Sequence, residues 1–145
     1  MSANPKISVI IVSWNVAQSL KRCLDSVYAT KYPNLQAIVV DNSSTDDSLK
    51  ILNRYADLTI VKNPLNIGFP KAVNQGLKKS TGDYILLLNP DARLPEDFFA
   101  KALKFAKSHP DMGVMGPKFT DPDGTPQGSV FPEPSIVNAF REYWL

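Results

Sequence analysis

Apolar residues in this chain fall into two alternating kinds of segment. Short β-branched runs, typical of buried strands, occupy residues 7–13, 35–40 and 58–61. Between such runs, apolar residues recur every three or four positions, as on one face of a helix; the first set is Leu20, Cys23, Leu24 and Val27. Strand alternating with helix predicts right-handed crossovers and a mostly parallel sheet flanked by helices, which is an α/β fold.

A fourth strand is predicted at residues 84–88, where the run Tyr-Ile-Leu-Leu-Leu shows no polar alternation. We therefore expect both faces of this strand to be covered. The run stops at Asn89-Pro90-Asp91, and ligands of parallel sheets collect at the carboxyl ends of strands. Asp91 is thus the first candidate for a ligand-binding residue. The alternative is that Asp91 only caps the following turn.

Capping and turn-forming residues predict where the helices begin. Asn15 with Gln18 has the form of a capping box for the first helix, and Ser44 with Asp47 has that form for the second. The third helix is expected over about residues 70–79, and the fourth opens at Pro95, with proline and acids in the first turn.

Beyond the fourth helix the pattern predicts a strand at residues 112–115. Residues 121–124, Asp-Pro-Asp-Gly, predict a turn, which would join a hairpin between Phe119 and Val130. From residue 124 onwards the density of proline and glycine rises and the periodicity fades. The apolar end at residues 143–145 favours a chain whose C-terminal part is truncated.

Composition narrows the classes of function. The chain has 145 residues, 43% of them hydrophobic and 21% charged, which suits one globular domain. Its net charge of +2 and scattered basic residues argue against nucleic acid as a partner. The single cysteine, Cys23, is expected to pack in a reducing compartment. No signal peptide or membrane-length apolar segment is recognised, so we expect a cytoplasmic protein whose membrane contact, if any, is peripheral.

Three common kinds of functional site require residues that this sequence does not contain. A dinucleotide-binding domain needs a glycine-rich turn after its first strand, where this chain has Ser13-Trp14-Asn15. An acyl hydrolase needs a nucleophile elbow and a catalytic histidine, but the only histidine, His109, stands at a helix end before proline. One cysteine and one histidine cannot build a zinc site.

Carboxylates and amides at successive strand ends remain: Asn15, Asp41 with Asn42, and Asn89 with Asp91. This set suits a nucleotide and a hard divalent cation. Mg²⁺ or Mn²⁺ prefers oxygen ligands and is commonly held by one or two carboxylates plus the phosphates of the substrate. A single Asp91 is therefore sufficient if a diphosphate supplies the other ligands.

Four segments in order resemble the nucleotide-binding half of family 2 glycosyltransferases with the GT-A (Rossmann-like) fold. They are residues 7–15, residues 38–46, residues 66–76 from Asn-Ile-Gly to Asn-Gln-Gly, and residues 82–94. The resemblance covers about residues 6–120. The Asn-Pro-Asp-Ala version of the last segment is similar to that of bacterial rhamnosyltransferase-like members.

The resemblance implies a role for each matching residue. Ser13 and Asn15 would lie near the nucleoside, Asp41 would bind the pyrimidine ring, and Lys71 and Asn74 would lie near the base or phosphates. Asn89-Pro90-Asp91 takes the place of the Asp-x-Asp motif of the family, with Asn89 beside the ribose and Asp91 on the metal. Asn89 departs from the usual first aspartate and leaves the metal with one protein carboxylate. Helix capping by Asp41 and solvent exposure of Lys71 and Asn74 are the structural alternatives.

The implied function is that of an inverting glycosyltransferase. It would transfer a sugar from UDP or dTDP, dTDP-rhamnose among the candidates, to a glycan or lipid-linked acceptor in bacterial cell-surface polysaccharide synthesis. The chain would be a single domain over residues 1–145, incomplete, with residues 121–145 beginning the acceptor region. No catalytic base is assigned, because neither Glu133 nor Glu142 lies in a matching motif, and self-association into a homo-oligomer is expected.

Two alternatives stay open. A non-catalytic nucleotide-sugar-binding module would use the same residues without turnover. A phosphotransfer enzyme could use Asp41 as its nucleophile, although that chemistry normally has a second carboxylate two residues on, where this chain has Ser43.

Overall fold

The computed structural model describes residues 4–121 and 123–128. Its elements follow in the order β1 (Ile7–Ser13), α1 (Ala17–Ala29), β2 (Leu35–Asp41), α2 (Ser48–Leu52), β3 (Leu58–Lys62), α3 (Phe69–Lys79), β4 (Tyr84–Leu88) and α4 (Phe98–Ser108). The alternation of strand and helix predicted from the sequence is confirmed. The chain divides into two compact units, Met1–Phe105 and Ala106–Leu145, and the division falls within α4.

The four strands form one parallel sheet in the order β3-β2-β1-β4. The central strands are β1 and β2, whose residues pair in register from Ile7 opposite Leu35 to Ser13 opposite Asp41. Because all strands run in the same direction, their carboxyl ends meet at one edge of the sheet. The loops that follow β1, β2, β3 and β4 therefore all begin at that edge.

Helices pack on both faces of the sheet. On one face, β1 and β2 bury a core with α1, α2 and α4; its members include Val9, Ile11, Leu20, Leu24, Val39, Leu52 and Phe99. On the other face, α3 approaches β1 so closely that a Cβ added at Gly76 would lie 2.5 Å from Ile10 Cγ2. Any larger residue at position 76 would therefore require the Ile10 side chain or the helix to shift.

The exposure of β4 differs from the prediction that both faces of this strand are covered, which is wrong. Ile85 and Leu87 are 47% and 52% exposed, whereas Leu88 on the opposite face is 8% exposed. The reason is the position of the strand: β4 lies at the edge of the sheet, and α3 packs against β1 and β2. The apolar run shows which residues of β4 can be buried, but the elements that pack against the strand determine which of them are buried.

The predicted capping boxes do not form. The N-cap of α1 is Val16 and that of α2 is Asp47, and neither makes a side-chain capping bond. The first turn of α1 is satisfied by a residue far along the chain, because the Ala17 N–H donates to Asp46 Oδ2 at 2.9 Å. The third helix begins as predicted, with Pro70 in its first turn.

In the second unit the strand expected at residues 112–115 is absent from the described structure, and Val114 is 91% exposed. The turn is confirmed. Asp121 and Thr125 are joined by a backbone hydrogen bond of 2.8 Å, and Thr120 forms an antiparallel bridge with Pro126. The Val130 end of the predicted hairpin lies outside the described residues.

Candidate functional site

Two polar side chains lie buried beside each other where the central strands end. Ser13 and Asp41 are register neighbours at the carboxyl ends of β1 and β2, and each is 1% exposed. Asp41 Oδ2 accepts a hydrogen bond from the Ser44 N–H at 3.0 Å. Asp41 Oδ1 and Ser13 Oγ have no hydrogen-bond partner among the described residues. A buried oxygen without a partner is costly, so these two atoms indicate a place that a donor group can occupy.

The loops after β1 and β2 are linked by hydrogen bonds. The Asn15 N–H donates to Ser44 Oγ at 3.0 Å, and Asn15 Oδ1 accepts from the Thr45 N–H at 2.7 Å. Asn15 adopts a positive φ of 53°, a conformation that asparagine tolerates better than most residues. The Asn15 side chain therefore fixes the loop of Ser44 and Thr45 at the edge of the sheet.

Asp46 completes this link by serving two helices with one carboxylate. Its Oδ2 accepts from the Ala17 N–H at the start of α1, and its Oδ1 accepts from the Ser48 N–H at the start of α2, each at 2.9 Å. Partial burial opposes the charged form, but hydrogen bonds from Ser48 and Ala17 outweigh it and hold the pKa of Asp46 below its ordinary value of 3.8. Ionised Asp46 therefore links the start of α1 to the start of α2.

An amide network ties the end of β3 to α3. Asn63 Nδ2 donates to Gln75 Oε1, and Gln75 Nε2 donates back to Asn63 Oδ1, both at 2.9 Å. Asn63 Nδ2 also donates to Asn42 Oδ1 at 2.9 Å, next to Asp41 in sequence. This network fixes the residue after Asp41 against the inner side of α3.

Lys71 and Asn74 lie on the exposed side of α3. In the described part of the chain neither side chain makes a hydrogen bond or an ion pair. Both side chains are therefore available at the surface. The next residue, Gln75, instead holds α3 in place through its hydrogen bond with Asn63.

The turn after β4 is exposed. Asn89, Asp91 and Arg93 are exposed, and the Ala92 N–H donates to the Asn89 carbonyl at 3.1 Å, which closes a β-turn with Pro90 at its second position. Below the turn, the buried Cys23 thiol donates to the same Asn89 carbonyl at 3.5 Å. Burial, and to a lesser degree the nearby charge of Asp91, raises the pKa of Cys23 to about 12. The thiol is therefore protonated and can act as a donor.

The residues of this turn fit a divalent cation that is shared with a ligand. Among the described residues there is no group of three or more His, Cys, Asp or Glu side chains that could hold a metal alone. Within the same residues the Asp91 carboxylate has no hydrogen bond and no ion pair that would compete for it. One free carboxylate is an adequate protein contribution for Mg²⁺ or Mn²⁺ when phosphate oxygens complete the shell.

Sequence reasoning missed the residues that fix the site. From the sequence, Ser44 is expected only as a cap of the second helix, Thr45 and Asp46 have no predicted role of their own, and the pair Asn63 and Gln75 is not recognised. Asp46 becomes recognisable only once the structure places the start of α1 at Ala17: the first turn then contains no acid, and Asp46 supplies an acceptor for one of its N–H groups. No local pattern indicates the amide pair, whose members lie 12 positions apart.

The helices in the described part of the chain are too short or too polar to cross a lipid bilayer.

Comparison with known proteins agrees with this architecture. The chain is 34% identical over 112 residues to a PGL/p-HBAD biosynthesis glycosyltransferase of Mycobacterium bovis, which covers 74% of this chain and 44% of that protein. A solved mannosyltransferase of Pyrobaculum calidifontis, in complex with GDP-Man and Mn²⁺, superposes with a TM-score of 0.68 at 31% identity. That match covers 72% of this chain and 33% of the mannosyltransferase.

TarS of S. aureus, residues 1–349 in complex with UDP-GlcNAc, superposes with a TM-score of 0.67 at 28% identity and covers 72% of this chain and 32% of that protein. The chain thus spans less than half the length of these relatives. The predicted GT-A fold class is confirmed. The sequence pattern of Glycosyl transferase family 2 matches residues 8–140, so the chain belongs to this family.

Proposed function

We propose that this chain is the donor-binding part of a glycosyltransferase that takes a sugar from UDP or dTDP. The observation that carries the proposal is the unpartnered Asp41 Oδ1, buried beside Ser13 Oγ at the carboxyl ends of β1 and β2. Membership of family 2 supports sugar transfer, and two structural relatives hold nucleotide sugars, GDP-Man in one and UDP-GlcNAc in the other.

Asp41 would select the base through one hydrogen bond. A carboxylate oxygen only accepts, and uracil and thymine carry a ring N–H that donates, whereas the corresponding ring nitrogens of cytosine and adenine only accept. The Asp41 Oδ1 would receive this N–H, and Ser13 Oγ would be satisfied by the same base. Because Asp41 is 1% exposed, the base reaches it only when the adjoining loops shift.

The remaining predicted residues would contact the rest of the donor. Asn15 would lie near the nucleoside through its place in the loop of Ser44 and Thr45. Lys71 and Asn74, exposed on α3, would reach the base or the phosphates, and Asn89 would lie beside the ribose. The exposure of Lys71, Asn74 and Asn89, and the lack of hydrogen bonds from their side chains in the described structure, support these roles.

Asp91 would hold the divalent cation, Mn²⁺ or Mg²⁺, together with the diphosphate of the donor. A cation at this position supplies positive charge to the departing diphosphate. The transfer would invert the anomeric carbon in one displacement, with an acceptor hydroxyl of a glycan or a lipid-linked sugar as the nucleophile. Residues 6–120 would form the donor-binding core, and residues 121–145 would lead into the acceptor region.

The phosphotransfer alternative receives less support. In a phosphotransfer site a second carboxylate normally lies two residues after the nucleophilic aspartate, whereas this chain has Ser43 there, and one oxygen of Asp41 already accepts from the Ser44 N–H. Trapping of a phosphoenzyme would identify the Asp41-based alternative. Release of UDP from a UDP-sugar in the presence of an acceptor would exclude a binding module without turnover.

The experiment that tests the base assignment replaces the hydrogen-bond acceptor of Asp41, its Oδ1, with a hydrogen-bond donor. In Asp41→Asn the amide oxygen can keep the bond from the Ser44 N–H, so that the amide NH₂ occupies the position of Oδ1. UDP should then bind roughly ten- to a hundredfold more weakly by calorimetry, the cost of one lost charge-assisted bond. CDP, whose ring nitrogen accepts, should lose less affinity than UDP or gain some.

Asp57→Asn provides the matched control, because Asp57 is exposed before β3, at the opposite end of the sheet. It should leave both nucleotides unaffected. GDP is the decisive comparison ligand, since guanine also carries a ring N–H: GDP or ADP binding to the parent as tightly as UDP would show that the pyrimidine assignment is wrong. An unchanged ratio of UDP to CDP affinity in Asp41→Asn would remove Asp41 from the base site.

A further inference from the structure

Helix α1 contacts the turn that carries Asp91 at two places. The Cys23 thiol donates to the Asn89 carbonyl at 3.5 Å, and the Leu94 N–H donates to Ser26 Oγ at 3.0 Å. These contacts lie at the two ends of residues 89–94, called here the 89–94 turn. Ser26 Oγ also donates to the Cys23 carbonyl at 2.7 Å, which orients its lone pair towards the Leu94 N–H.

The same helix is fixed at its other end to the loop after β2. Its first turn donates, through the Ala17 N–H, to Asp46, which lies in the loop that begins at Asp41. Helix α1 therefore connects the end of β2 with the 89–94 turn, through contacts that do not pass through the sheet. A nucleoside diphosphate has a limited reach between its base and its phosphates, so a site that binds both ends gains affinity only if the two ends keep the right separation.

We propose that Ser26 and Cys23 are positioning residues that hold Asp91 at the separation from Asp41 that a nucleoside diphosphate with a divalent cation requires. The inference rests on the proposed function. Neither side chain touches the ligand; each acts on the backbone of the 89–94 turn. A shift of this turn moves the Asp91 carboxylate relative to the phosphates and leaves the buried pair Ser13 and Asp41 as it is.

The test measures UDP binding with and without Mn²⁺ in Ser26→Ala, a variant of a half-buried residue that keeps the core intact. Affinity for UDP with Mn²⁺ should fall about three- to tenfold, the range of one hydrogen bond, while metal-free affinity stays the same. Ser26→Thr keeps the hydroxyl and should restore the Mn²⁺-dependent part. Ser19→Ala is the matched control, because Ser19 lies on the same helix and its hydroxyl accepts from Arg22 at 3.1 Å.

A second readout needs no ligand. Hydrogen exchange of the Leu94 amide should be about tenfold faster in Ser26→Ala than in the parent, with the amides of α1 unchanged. Cys23→Ala should loosen the Asn89 end of the turn in the same way.

The outcomes separate this inference from the proposed function. Faster Leu94 exchange with unchanged Mn²⁺-dependent affinity would overturn the positioning role and leave the proposed function standing. An equal loss of affinity with and without Mn²⁺ would also overturn it, because a general structural role gives that result. If Mn²⁺ has no effect on UDP binding by the parent, the metal assignment of the proposed function is wrong, and the inference is overturned with it.

Discussion

The carboxyl ends of the strands are built in two contrasting ways. Where β1 and β2 end, polar residues are buried and their loops are linked through Asn15, Ser44 and Asp46. Where β4 ends, Asn89 and Asp91 are exposed, and the strand itself leaves Ile85 and Leu87 exposed on one face. The buried end suits selection of a base by a few fixed hydrogen bonds, whereas the exposed end suits a charged group that meets its partner in water.

The largest expected difference between the two regions is in stability. Ile38 on β2 is 0% exposed, so Ile38→Ala should lower the free energy of unfolding by about 2–5 kcal/mol, from lost burial and the cavity left behind. Leu87 on β4 is 52% exposed, and Leu87→Ala should cost about 1 kcal/mol or less. Denaturant unfolding of both variants provides the measurement. An equal cost for the two would mean that the outer face of β4 is buried in solution.

Much of the first region could be predicted from sequence, because its strands and helices are local patterns. The run of residues 7–13 and the spacing of Leu20, Cys23, Leu24 and Val27 each carry their own periodicity, and the structure reproduces them. The burial of β4 could not be predicted in the same way. Whether Ile85 is covered depends on where α3 packs, and nothing within residues 84–88 encodes that.

The candidate site shows the same division between features that could be predicted from the sequence and features that could not. Asp41 and Asp91 could be predicted as candidates because each lies at the carboxyl end of an apolar strand, Asp41 as the last residue of β2 and Asp91 three positions after Leu88. The contacts that hold them could not, since they join residues far apart in sequence: Ala17 with Asp46 over 29 positions, and Ser26 with Leu94 over 68. Hydrogen bonds of this kind leave no periodic signal, and only the folded backbone brings the donors and acceptors together.

The second-largest expected effect is a change in the binding of UDP and Mn²⁺ at the exposed turn after β4. Asp91→Asn keeps the shape of the side chain and its capacity to cap a turn but removes the charge. Stability should barely change, while Mn²⁺-dependent binding of UDP should weaken by roughly 1.5–3 kcal/mol and the weaker metal-free binding should stay the same. Calorimetry with and without Mn²⁺ measures both. Binding of Mn²⁺ and UDP like that of the parent would show that Asp91 is only a turn residue.

Asp97→Asn is the matched control for that experiment. Asp97 is also exposed and lies near the start of α4, where it pairs with Lys101 at 2.6 Å. Removing its charge changes the net charge by the same amount as Asp91→Asn. A comparable loss of Mn²⁺-dependent binding in Asp97→Asn would assign the effect to general electrostatics rather than to a ligand at Asp91.

The smallest expected effect is on the pH dependence of stability. It tests the hydrogen bonds of Asp46 that link the loops after β1 and β2. Hydrogen bonds in the folded state hold the pKa of Asp46 below its ordinary value of 3.8, so ionised Asp46 stabilises the fold at pH values above that value. This contribution is lost as the pH falls from the ordinary pKa through the lowered pKa, because the unfolded state takes up a proton more readily than the folded state in that range. Asn at this position keeps one acceptor oxygen and loses the other. Asp46→Asn should therefore cost about 0.5–1 kcal/mol at neutral pH, typical of one lost hydrogen bond, and progressively less towards about pH 3. Denaturant unfolding of the parent and the variant across this pH range measures the difference in stability. Asp57→Asn is the control and should show no such trend, because the exposed Asp57 carboxylate makes no hydrogen bond in the described structure. A cost that is the same at neutral and at low pH would mean that the charge of Asp46 does not contribute to the link between the two loops.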